Sequence, residues 1–166
     1  MATLSTVSGY PYPATSETPD VQRDLKALVD YLEARTVPTT FTPTWTGTGA
    51  AVGNGSLTGW SVKVGKMATV YAKLTLGSTT TMGTVSQALS GFPYTNTATG
   101  KIGAQVRYTH AGADWMGQGI IAASGSAVFV AVPGANGAWT AVTSAVPFAW
   151  ASGDTVEVLV TYPTTV

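Results

Sequence analysis

Leu57-Thr58-Gly59-Trp60-Ser61-Val62-Lys63-Val64-Gly65-Lys66-Met67-Ala68-Thr69-Val70-Tyr71-Ala72-Lys73-Leu74-Thr75-Leu76 is the stretch that decides the fold. Two runs rich in β-branched and aromatic residues flank Gly65-Lys66, a two-residue sequence suited to a tight hairpin turn. In the second run Lys73 and Thr75 alternate with Leu74 and Leu76, the period of a strand with one wet face. Working outward, further strands are expected at Phe41–Trp45, Thr84–Leu89, Ile102–Thr109, Gly117–Ala123, Ala127–Val132, Trp139–Val142 and Thr155–Tyr162. Gly/Pro/Asn/Ser clusters punctuate them, and no helical period intervenes. Short, closely spaced strands of this kind predict an all-β domain, an antiparallel jelly-roll-like sandwich.

The N-terminal part obeys other rules. Gly9-Tyr10-Pro11-Tyr12-Pro13 is an extended arm, because each residue before a proline is pushed out of the helical region. Thr18, Pro19 and Asp20 then form a helix start, by cap, first-turn proline and favourable charge at the helix dipole. Val21, Leu25, Leu28 and Leu32 recur at spacings of four, three and four, an apolar seam, and Val37-Pro38 ends the helix. The expected organisation is an arm over 1–18, a neck helix over 19–37 and a β head over 38–166. A lone helix of about 16 residues is marginal in water. Its seam therefore packs either on the following domain or on copies of itself, with three chains the favoured count.

Charge sharpens the choice. Eight basic and eight acidic residues give a net charge of zero, and 10% of the chain is charged against roughly 25% in ordinary domains. Half of those charges lie in residues 1–35, so the head is covered by uncharged groups, from a chain with 28 Thr, 12 Ser and 19 Gly. Such an exterior suits close contact between identical subunits, since few ions need desolvating. It offers no electrostatic footprint for nucleic acid or an anionic membrane. The absence of Cys excludes disulfides, zinc–thiolate sites and thiol nucleophiles. No apolar run reaches the length of a membrane span.

Catalytic motifs are lacking. His110 is the single histidine and reads as a strand-end or loop residue. Asp114, Asp154 and Glu157 are the head's three carboxylates. Asp154 lies in a Ser-Gly-Asp turn where it should bond nearby backbone, and Glu157 alternates with valines as a solvent-facing strand residue. No phosphate loop or metal-ligand spacing occurs, so no cofactor is expected. Trp60 and Trp150 read as core. Trp115, in the expected loop Gly112–Gly117, and Trp139 are candidates for stacking on sugars, as is Thr80 in the loop Gly77–Gly83 for hydrogen bonding.

The run Thr44-Trp-Thr-Gly-Thr-Gly-Ala-Ala-Val-Gly-Asn-Gly-Ser-Leu-Thr-Gly-Trp60, the loop Gly77-Ser-Thr-Thr-Thr-Met-Gly83 and the closing Trp150-Ala-Ser-Gly-Asp-Thr-Val156 resemble segments of minor structural proteins of tailed bacteriophages, especially those infecting actinobacteria. The opening Gly9-Tyr-Pro-Tyr-Pro and Glu17-Thr-Pro-Asp-Val21 is similar in style. The resemblance implies a non-enzymatic virion-surface component, a homotrimeric fibre, spike or decoration assembled in the host cytoplasm. Its arm, with Tyr10, Pro11, Tyr12 and Pro13, would dock on a capsid or tail protein. Two functions stand within it: capsid decoration or a short fibre, and an adhesin for host cell-surface glycan.

Overall fold

The computed structural model describes Thr3–Leu4, Pro11–Tyr12 and residues 21–134 and 138–165. A two-stranded pair, β1 (Thr3–Leu4) and β2 (Pro11–Tyr12), precedes helix α1 (Val21–Thr36). Ten strands follow: β3 (Thr39–Phe41), β4 (Thr44–Ala51), β5 (Ser56–Val64), β6 (Met67–Thr75), β7 (Thr81–Ser90), β8 (Ile102–His110), β9 (Ala113–Ile121), β10 (Val128–Pro133), β11 (Trp139–Ala141) and β12 (Thr155–Pro163). They form one antiparallel sheet in the order β3-β5-β6-β12-β8-β9-β10-β7-β4, with β11 added beside β10. The all-β expectation holds at this level.

β3 and β4 stand at opposite ends of that order, yet only Thr42 and Pro43 separate them in sequence. Three Cα–Cα steps span at most about 11 Å, so the sheet must curl until its two ends meet. The concave face is the core. Ala68, Val70, Ala72 and Leu74 of β6, Ala104, Val106 and Tyr108 of β8 and Val156, Val158, Val160 and Tyr162 of β12 all bury there, each two residues from the next. Small residues let the sheet close. A β carbon at Gly119 would come within 2.4 Å of Val128 Cγ1, and one at Gly117 within 2.4 Å of the Tyr108 ring.

The hairpin Gly65-Lys66 is present, with Val64 opposite Met67 and Gly65 at φ +58°. Three expectations change. Phe41–Trp45 is not one strand: Thr42-Pro43 breaks it, and β4 runs on to Ala51 through Gly47 and Gly49. The stretch Gly112–Gly117 is not a loop. Ala111 and Gly112, at φ +50° and +80°, make a two-residue turn and β9 resumes at Ala113. Likewise β7 begins at Thr81, inside the expected loop Gly77–Gly83.

β4 and β7 pair with two register shifts, at Thr46/Thr48 and Thr48/Ala50. Gln87 of β7 is fully buried there, its amide filling the space where Gly47 and Gly83 have no side chain. Gln87 Nε2 donates to Val85 O at 3.0 Å, while Oε1 has no partner among the described residues.

Candidate functional site

α1 is the first candidate. Its dipole is complemented by Asp24 in the first turn and Arg35 in the last, and Lys26 pairs with Asp30 one turn on at 2.7 Å. No described residue of the helix is buried. Val21 is 68% and Leu25 56% exposed, Val29 and Leu32 are exposed as well, and Leu28 is half-buried. The helix lies against β2 and, in the head, against β5, where Ala34, Arg35 and Val37 border a small cleft with Ser61, Lys63 and Tyr94. The seam is thus not laid along the sheet. The cap residues Thr18, Pro19 and Asp20, and the anchor residues Tyr10 and Pro13, lie outside the described residues. Pro11–Tyr12 is extended and doubles back onto Thr3–Leu4.

The second candidate lies on the convex face of the sheet. The register places Lys73 of β6, Glu157 of β12 and Arg107 of β8 directly side by side, with Asp114 on the adjoining β9. Four of the head's eight charges therefore gather at one spot. Arg107 Nη2 donates to Glu157 Oε2 at 2.6 Å, Lys73 Nζ stands 3.3 Å from Glu157 Oε1, and Arg107 Nη1 is 3.5 Å from Asp114 Oδ2. Glu157 alternates outward as expected, but it is not solvent-facing. The long neighbouring side chains leave it 8% exposed.

Burial alone would push the Glu157 carboxyl up. Hydrogen bonds from Arg107, Lys73 and Tyr71 outweigh it and hold the group below its ordinary value. The Tyr71 hydroxyl is pushed up to about 12, first by burial and then by the Glu157 charge. Two cations and two anions cancel, and Glu157 stays ionised with both oxygens engaged. The cluster ties four strands together, β6, β12, β8 and β9, and borders a cleft of about 230 Å³ with Tyr71, Gln105, Met116 and Leu159.

The remaining residues singled out in the sequence go several ways. Asp154 is buried and accepts from Ala151 N at 2.7 Å, as its turn requires, but it also meets His110 Nδ1 at 2.8 Å. The His110 ring stacks on Phe148 at 4.2 Å. Among the described residues no hydroxyl bonds to His110. Trp115, on β9 rather than in a loop, is half exposed and packs on Phe148 at 5.8 Å. Trp139, on β11, is also half exposed. Thr80 is committed to its own turn, donating to Val52 O and accepting from Gly77 N at 2.8 Å. Trp150 packs against the core, whereas Trp60 does not belong to it. Trp60 sits half-buried on the convex face, stacked on Tyr71 at 5.7 Å, because it lies opposite Tyr71 in the hairpin. Among the described residues no group of three or more potential metal ligands exists.

Comparison of the chain with protein-family models, with curated proteins and with solved structures returned no match in any of the three. The ion cluster escaped the sequence reading because it depends on which strands become neighbours, and only the outward alternation of Lys73, Arg107 and Glu157 hinted at it.

Proposed function

We propose that this chain is a non-enzymatic virion structural protein, assembled as a homotrimer. It serves as a capsid decoration or head-fibre protein, or as a short tail fibre. Residues 1–18 attach it to the particle, α1 forms a short neck, and residues 38–166 form a jelly-roll-like head. The unburied seam of α1 carries the reading. Each large apolar side chain that becomes fully buried contributes about 1.5–3 kcal/mol, and Val21, Leu25, Val29 and Leu32 forgo much of that within one chain. Copies of the same helix supply the missing partner.

Two heptads are too short to hold three chains alone, so the heads must also touch. Their exterior favours it. Half of the head's charges are already neutralised in the Lys73–Glu157–Arg107–Asp114 cluster, and burying that face desolvates few free ions. The virion assignment is supported by the resemblance of the run 44–60 and of the Tyr-Pro arm. Three weak arms joined at one neck bind a particle far more firmly than one.

Light scattering on the full-length protein tests the assembly. The expected mass is three times 17.0 kDa. A single-chain mass at micromolar concentration overturns the proposal. Deleting residues 1–18 should leave the trimer intact but abolish its incorporation into particles, and retained incorporation removes the anchor role.

A further inference from the structure

The bulged strands β4 and β7 frame a cleft that the structural role leaves unexplained. Gly49 and Gly83 lie at φ +74° and +78°, and Ser86, a non-glycine residue, at φ +54°. A positive φ costs glycine little, while at Ser86 it costs roughly 1–3 kcal/mol. Gly49 and Gly83 line a cavity of about 350 Å³ with Thr81, Thr84, Ser144 and Trp150, within the usual range of about 300–1,000 Å³ for small-molecule sites. A β carbon added at Gly49 would meet only Gly83 Cα, at 3.8 Å, so this part of the wall is bare for want of a side chain.

The lining sets the chemistry of an occupant. No ionisable side chain borders the cavity. Thr81 Oγ1 donates to Gly49 O at 2.9 Å and Thr84 Oγ1 to Thr48 O at 3.4 Å. With their protons spent on β4, both hydroxyls have only lone pairs left to offer. A carboxylate or phosphate would meet acceptors with no cation nearby, and an ammonium would find no carboxylate. Ser144 at the rim can donate as well as accept, so the lining suits a neutral occupant that carries hydroxyls of its own. Trp150 supplies a rigid apolar wall. Its indole N–H donates to Thr143 O at 2.9 Å, and its ring is wedged by Phe148 at 4.6 Å and Tyr108 at 5.7 Å. A sugar ring offers both requirements, hydroxyl donors on its rim and a C–H face for the indole.

We infer that this cleft binds the ring of an uncharged sugar, with hydroxyls donating to Thr81 and Thr84 and carbon face against Trp150. The inference is independent of trimer assembly and of attachment to a particle.

Saturation-transfer NMR and calorimetry on the full-length protein test it. The probes are glucose, galactose, mannose, arabinose and rhamnose, with glucuronate and glucosamine as charged counterparts. At least one neutral sugar should bind saturably in the millimolar range, and charged counterparts should bind about tenfold more weakly, since the cleft offers a buried charge no partner. Thr84→Arg and Ser144→Arg, both at exposed positions, should each abolish binding while mass and near-UV circular dichroism stay those of wild type. Trp115→Ala should leave it unchanged. The inference is overturned if none of the neutral sugars saturates. It is equally overturned if binding survives in both arginine variants, or if it is lost in Trp115→Ala and kept in Thr84→Arg.

Discussion

Arg107 and Glu157 meet across neighbouring strands β8 and β12 at 2.6 Å, and this bond helps to keep the buried Glu157 carboxylate charged on a sheet face where Arg107 itself stays half exposed. Removing the guanidinium leaves Lys73 as the remaining cation beside Glu157, farther away at 3.3 Å. Arg107→Met should therefore lower stability at neutral pH, read as a fall in urea midpoint. Unchanged stability would show that the pair contributes nothing net.

The same pair gives a pH signature. Glu157 is held below its ordinary value of 4.5 in the folded chain. Its stabilising contribution is present above the unfolded value and is lost as pH falls through the folded one. In Arg107→Met, burial acts against Lys73 and Tyr71 without the guanidinium, and the depression shrinks. The stability gap between wild type and variant should narrow as pH drops below about 4.5. Urea titrations at pH 7 and pH 3.5 check this, and a constant gap refutes it.

Gln87 carries a buried acceptor with no described partner beside an amide that has one. Gln87→Met keeps the volume and removes the orphan, so it should be neutral or stabilising by up to about 1–2 kcal/mol. Gly83→Ala should do the reverse. Its β carbon would lie 2.5 Å from Thr48 O, on backbone at φ +78°, a strain of about 1–3 kcal/mol. Thermal melts of the two variants should move in opposite directions or leave the methionine variant level.

The core closes tightly around the glycines of β9. Gly119→Ala would bring a methyl within 2.4 Å of Val128 Cγ1 and 3.0 Å of Val106 Cγ2. Overpacking of this kind costs about 1–3 kcal/mol, so the melting temperature should fall by several degrees. An unaltered melt would mean that β9 shifts freely.

Leu25→Glu together with Leu32→Glu should lower the mass in solution without lowering the stability of the head, because neither side chain is buried within one chain. A head that melts earlier in this double variant would place the helix seam on its own sheet.

Local chemistry made much of this legible. Gly65-Lys66 could only be a tight turn, and the alternation in 67–76 and 155–162 fixed which side chains face the core. β4 was hidden because Gly47 and Gly49 interrupt its period where Gln87 needs space. Trp115 read as a loop residue because Ala111-Gly112 turns in two residues rather than six. The burial of Glu157 and the cleft beside Trp150 arise from strand order and sheet curl, which bring together residues far apart in the chain. No spacing rule encodes those distances.

The route from α1 into the head also has a mechanical meaning. β3 is three residues long and its one partner in the sheet is β5, so tension on the N-terminal segment meets a weak fastening before it reaches the barrel-like body. Pulling single molecules from that end should show a small early extension, with Thr39–Phe41 peeling away while the rest holds. Rupture in one step would mean that the short strand is no fuse and that the whole head bears the load at once.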